Sequence, residues 1–131
     1  NGTLSDAVLD VWEGEPDLSL SLLNKVYIAT PHIAGYSAEG KLNATALVLM
    51  AFASFSGYEG ELPLPQLPAP VPSMIVASTF ADAMLEIYKP HSDSHVLKDH
   101  PESFEEQRNN YHLRRESSAY KIHLKCDKML K

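Results

Sequence analysis

Five prolines fall within the eleven residues LPLPQLPAPVP (residues 62–72), and no helix or sheet ladder can run through them. Each proline lacks a backbone N–H and holds φ near −65°. The stretch is therefore expected to be an extended, fairly stiff linker. A ligand for a proline-binding module fits the same composition, but a linker is the simpler reading. It divides the chain into two parts.

Before the linker, residues 5–12 (SDAVLDVW) read as a strand: the centre is apolar and β-prone, and Asp10 falls near its C-terminal end. The segment 13–17 (EGEPD) is punctuated as a loop by Gly14 and Pro16. Residues 18–24 form a short helix with Leu18, Leu22 and Leu23 on one side, and residues 26–30 (VYIAT) a second strand closed by Pro31. Strand, loop, short helix and strand make half of an α/β unit. A long helix is expected over residues 37–55, with Ser37 as N-cap, Glu39 in the first turn and Gly57 as the stop. Its second half, ALVLMAFA (residues 46–53), is apolar all round. Such a helix is normally covered on most sides, and so short a chain can hardly cover it, which points to a missing partner surface. Beyond the linker, residues 74–76 are a short strand, and residues 79–88 a helix with Phe80, Met84 and Ile87 on one face. Residues 91–100 are polar and read as a loop, with a helical turn at most around Val96 and Leu97. Residues 101–108 open another helix with Pro101 in its first turn. Residues 118–124 alternate as an edge strand would.

The 131 residues fit one ordinary domain or pieces of two, and 44% hydrophobic residues permit a real core. The net charge of −6 argues against nucleic acid as a partner, and the mild basic excess over residues 98–131 is too interleaved with acids to change that. The longest apolar run, eight residues, falls far short of the roughly 20 that span a bilayer, so no membrane partner is expected. The N-terminus shows no basic segment of a signal peptide, and a cytoplasmic protein is the expectation. Asn1 in place of Met suggests a processed end or a cut through a longer chain. The single Cys126 rules out a disulfide within this chain and any thiolate metal cage, and reads as a free, inert thiol.

The six glycines, at 2, 14, 35, 40, 57 and 60, never take the G-x-G-x-x-G spacing, so no pyrophosphate cradle is recognisable. His91, His95 and His100 lie in a polar stretch without other ligand types at useful spacing; solvated histidines, with no metal, are expected. The informative pair is Glu15 with His32. Both follow strand ends, where open α/β sheets place their ligands. Imidazole exchanges protons near neutral pH, and a neighbouring carboxylate stabilises its cation and fixes its tautomer. Such a pair suits proton transfer to or from a substrate hydroxyl. A structural histidine capped by a nearby glutamate fits the same spacing.

The strings VLDVWEGEP (residues 8–16) and ATPHIAGY (residues 29–36) together resemble the C-terminal signature of the NAD-dependent D-2-hydroxyacid dehydrogenases. The continuation GYSAEGK (residues 35–41) looks more narrowly like one branch of that family, in vitamin B6 biosynthesis, whose substrate is a phosphorylated hydroxy acid. PESF (residues 101–104) with NYHLRRE (residues 110–116) is similar to the dimerisation domain of that branch. The resemblance implies an α/β fold: the C-terminal part of a Rossmann-type nucleotide-binding domain (residues 1–36), a long helix returning to a catalytic lobe (37–61), the linker (62–72), and a small α+β dimerisation domain (73–131) of a homodimer.

It also implies roles. His32 would be the general acid/base for the C2 hydroxyl and Glu15 its carboxylate partner. Asp10 would contact the nicotinamide end of NAD. Gly35 would let the backbone approach NAD closely, and Tyr36 would touch the substrate. A turn glycine and a packed aromatic are the plainer readings of the last two; Glu13 is left as a solvated acid. The family's glycine-rich loop, substrate-binding arginine and N-terminal lobe precede the segment matched here, and none of Arg108, Arg114 and Arg115 occupies that arginine's motif position. After Ile122 the chain departs from the pattern and becomes lysine-rich. The chain alone is therefore expected to be inactive. A non-catalytic dimerising or interaction fragment, or a dehydrogenase of the same family with another substrate, are the alternatives.

Overall fold

The computed structural model describes Gly2 and residues 4–125. Cys126 lies outside the described residues. The described chain is a mixed α/β structure containing two small parallel sheets. By internal contact it divides into two units. One joins residues 1–34 and 88–112, the other residues 35–87 and 113–131. Each unit thus draws on both sides of the proline stretch.

In the first unit, β1 (Val8–Leu9) pairs in parallel with β2 (Ile28–Ala29), Val8 opposite Ile28 and Leu9 opposite Ala29. Between them lies α1 (Leu20–Leu23). The strands are far shorter than the sequence suggests. After Leu9 the chain turns, because the Asp10 carboxylate and the Trp12 amide bond into neighbouring turns and not along the ladder. The pairing is nevertheless extended by the Tyr27 amide to the Ala7 carbonyl (2.8 Å) and the Thr30 amide to the Leu9 carbonyl (2.9 Å).

The loop expected over residues 91–100 is instead a helix, α4 (Pro90–Asp99). Its start is favoured by Pro90 at the first position and Asp93 in the first turn, and its end by Lys98. What holds it is tertiary. Leu97 is fully buried, the buried Ser94 hydroxyl accepts the Ala29 amide (3.0 Å), and Lys98 donates to the Val26 carbonyl (2.6 Å). One leucine and one serine make too sparse a stripe for periodicity to reveal. A 3₁₀ turn (Pro101–Ser103) leads into α5 (Phe104–Asn109). Trp12, Leu23, Val26, Ala29, Leu97 and Phe104 form the core. The Trp12 indole N–H is satisfied by the Thr30 carbonyl (2.9 Å), as a buried donor requires.

The second unit contains α2 (Ala38–Ser56), β3 (Met74–Ala77), α3 (Phe80–Ile87) and β4 (Lys121–Leu124). The Ser37 hydroxyl accepts the Gly40 amide (2.8 Å) at the start of α2, and Gly57 closes it at φ 67°. These are the caps the sequence predicts. No residue of α2 is buried, and Leu47, Val48, Leu49, Met50, Phe52 and Phe55 are all exposed. In the same unit, β3 pairs in parallel with β4 in the register Met74–Lys121 through Ala77–Leu124. A reciprocal cap starts α3: Asp82 accepts the Thr79 amide (3.0 Å), and the Thr79 hydroxyl accepts the Asp82 amide (3.1 Å). Ala83 is fully buried with Ile75 and Ala77, and Met84, Ile87, Tyr120 and Ile122 pack around them. Phe80 shares the face of Met84 and Ile87 but stands exposed, in the first turn of the helix. Among the described residues, no helix is long and apolar enough to cross a membrane.

Candidate active site

Because β1 and β2 are parallel, their C-terminal ends open on the same edge. The loop after β1 carries Asp10 and Glu15; the turn after β2 carries His32. Gly14 makes the first loop tight. It sits at φ 83°, a Cβ there would lie 3.2 Å from the Asp17 carbonyl oxygen, and that carbonyl's own residue donates its amide to Gly14 (2.8 Å). Glu15 is then aimed by the Trp12 amide, which donates to its Oε1 (2.8 Å).

The second turn is fixed from both ends. Pro31 and Ile33 are fully buried, and the His32 amide donates to the Thr30 carbonyl (3.0 Å). His32 itself adopts φ 55°, a left-handed conformation that costs a non-glycine residue about 1–2 kcal/mol. Asp10 spans this turn. Its Oδ1 accepts the Thr30 hydroxyl (2.7 Å) and the Ile33 amide (2.8 Å), and its Oδ2 accepts the Ala34 amide (3.0 Å).

Glu15 and His32 meet. The His32 Nδ1 lies 2.8 Å from Oε2 and 3.1 Å from Oε1 of Glu15. Burial pushes the Glu15 carboxyl up, but the His32 hydrogen bond, the Trp12 amide and the charges of His32 and Arg108 outweigh it and hold the group below its ordinary value. Glu15 is thus ionised at neutral pH and can only accept. Nδ1 must therefore carry the hydrogen between them, which leaves Nε2 of neutral His32 as the basic nitrogen. With 43% of its side chain exposed, His32 is open to a solute.

Gly35 and Tyr36 belong to the second unit. A Cβ on Gly35 would meet no heavy atom within 4 Å, so the chain's own packing does not require glycine there. The Tyr36 ring is half-buried, with the Lys41 ammonium 3.6 Å from its centroid. Sequence reasoning missed the polar clamp around Glu39. Arg115 Nε donates to Glu39 Oε1 (2.7 Å), the Glu116 amide to Glu39 Oε2 (3.0 Å), and the Ser37 hydroxyl to Glu116 Oε1 (2.6 Å). Burial raises the Glu39 carboxyl, but Arg115 and the backbone donors override it and lower the pKa. These partners lie more than seventy residues apart, and no local pattern announces them. Thr30 was also missed, since a threonine before a proline at a strand end carries no functional signal.

His91 stacks edge-on with Tyr27, and His100 lies 3.4 Å from Glu102. A cleft of about 610 Å³ reaches Pro31, next to His32, but Asp93, Glu102 and Glu106 line it. That concentration of acids disfavours a phosphorylated carboxylate.

Residues 63–131 match the family described as "Domain of unknown function (DUF3410)". The chain belongs to that family. It is also similar to proteins named erythronate-4-phosphate dehydrogenase. That of Bacteroides fragilis is 52% identical over 122 residues, 93% of this chain and 35% of the relative. Those of Bacteroides thetaiotaomicron and Escherichia fergusonii are 49% and 40% identical, over 93% and 96% of this chain and 35% of each relative. The narrower resemblance read from the sequence is borne out by these names. The chain spans about a third of the length of the curated relatives it matches.

Proposed function

We propose that this chain is the C-terminal segment of an NAD-dependent erythronate-4-phosphate dehydrogenase, a cytoplasmic homodimer acting in vitamin B6 biosynthesis. The observation that carries the reading is the Glu15–His32 pair, formed beyond the C-terminal ends of two parallel strands. On this reading β1, α1 and β2 are the last part of a Rossmann-type sheet, and residues 73–131 serve dimerisation.

His32 Nε2 takes the proton of the C2 hydroxyl of 4-phospho-D-erythronate, and the ionised Glu15 stabilises the resulting imidazolium. NAD, when bound, supplies the hydride acceptor that turns the alcohol into the 2-oxo acid. The residues present fit that cofactor in that Asp10 keeps one acceptor position, on Oδ2, for a carboxamide; Gly35, as a residue without a side chain, would let a bound ring approach its backbone. Tyr36 contacts the substrate. A lone acid/base pair lacks the positioning that supplies most of the rate, so the chain alone should give background NADH production.

The test is a chimera in which this chain replaces the matching segment of the Bacteroides fragilis relative. It should oxidise 4-phospho-D-erythronate, and His32→Asn should lower kcat by about 10²–10⁴-fold. A silent chimera beside an active parent would refute the proposal. The exposed apolar half of α2 favours a second reading, a non-catalytic association module. Turnover by the chimera decides against it.

A further inference from the structure

We infer that Asp10 is a positioning residue for His32, holding the left-handed turn that presents the imidazole to Glu15. The inference rests on the acid/base reading of His32 only for its catalytic consequence. Its geometry stands alone. A carboxylate offers about four acceptor positions. Asp10 spends three of them on residues 30, 33 and 34, which flank His32 on both sides. Both partners on Oδ1 fill that oxygen, and the Ala34 amide leaves one position on Oδ2.

Histidine at φ 55° is uncommon and persists where its surroundings impose it. Here the buried Pro31 and Ile33 and the His32 amide bond are joined by a charged side chain from the neighbouring strand end. Hydrogen bonds to a charged acceptor are about twice as strong as neutral ones, and two of these come from backbone amides, which can turn only by moving the chain. Without the carboxylate, the Ile33 and Ala34 amides lose their bonds to Asp10, and the left-handed turn at His32 loses its charged clamp. The Nδ1–Glu15 contact, made by a side chain whose direction follows from that backbone conformation, is then lost.

Asp10→Asn tests this. The substitution keeps an acceptor for Thr30 and Ile33 but sets an NH₂ against the Ala34 amide. In the 131-residue chain, NMR should show His32 leaving its positive φ, with the Glu15 carboxyl titrating higher than in the unsubstituted chain, while the amides of β3 and β4 in the other unit are unchanged. In the chimera, kcat should fall about ten- to hundredfold. Unchanged His32 conformation and Glu15 titration, with only the KM for NAD raised, would overturn the inference and leave Asp10 a cofactor contact alone. Should the variant not fold, amide exchange in the unsubstituted chain decides. The exposed Ala34 amide should exchange about ten- to hundredfold more slowly than an open amide, the factor expected for a bond to a charged group, and free exchange would overturn the inference. Failure of the chimera to turn over would sink the dehydrogenase reading without touching these conformational results.

Discussion

His32 combines a chemically useful ring with a backbone conformation that suits glycine better than any side chain. The two demands can be separated. His32→Gly should be more stable than His32→Ala by about 1 kcal/mol, measured by denaturant unfolding, because both lose the ring and only glycine is at ease at positive φ. Equal stabilities would mean that the turn is not held left-handed in solution. Glu15 and Glu39 give a second prediction. Both carboxyls are lowered on folding, so each adds stability that is complete above the ordinary value near 4.5 and is lost as pH falls through the lower folded value. The chain should weaken on acidification below about pH 4.5, and Glu15→Gln should flatten that limb in pH-dependent melting. At this scale the sequence was half legible. Strand ends marked Glu15 and His32 as neighbours, because topology alone brings such positions together. The work of Asp10 was not legible, because hydrogen bonds to backbone amides leave no mark in side-chain pattern.

Among the elements, α2 and α4 show what local signals can and cannot convey. Both ends of α2 are written in the residues themselves: a hydroxyl that accepts an amide three positions on, and a glycine at positive φ. Ser37→Ala should therefore cost about 1 kcal/mol, with additional loss because the same hydroxyl donates to Glu116. A thermal melt showing no change would remove the cap from the account. By contrast, α4 depends on a buried leucine, a buried serine and a lysine that reaches back to residues near Val26. Contacts some seventy residues away decide it, and a window of ten residues cannot contain them.

For the whole molecule, the apolar second half of α2 departs from a self-sufficient surface among the described residues. Exposed apolar surface on this scale promotes association. Sedimentation equilibrium should show the chain associating as concentration rises. Phe52→Glu, at a residue 65% exposed, should reduce that association while altering stability by no more than about 0.5 kcal/mol. Persistence of the association in the variant would place the contact elsewhere.

The path of the backbone through its two units has a practical corollary. Since each unit is stitched together from stretches on either side of the prolines, dividing the gene at residues 62–72 would yield two products that each lack part of both. In the second sheet, β4 leaves the ribosome well after its partner β3, because the pairing is between segments distant in sequence. Until then β3 waits with an unmatched edge, so premature termination upstream of Lys121 strands it there.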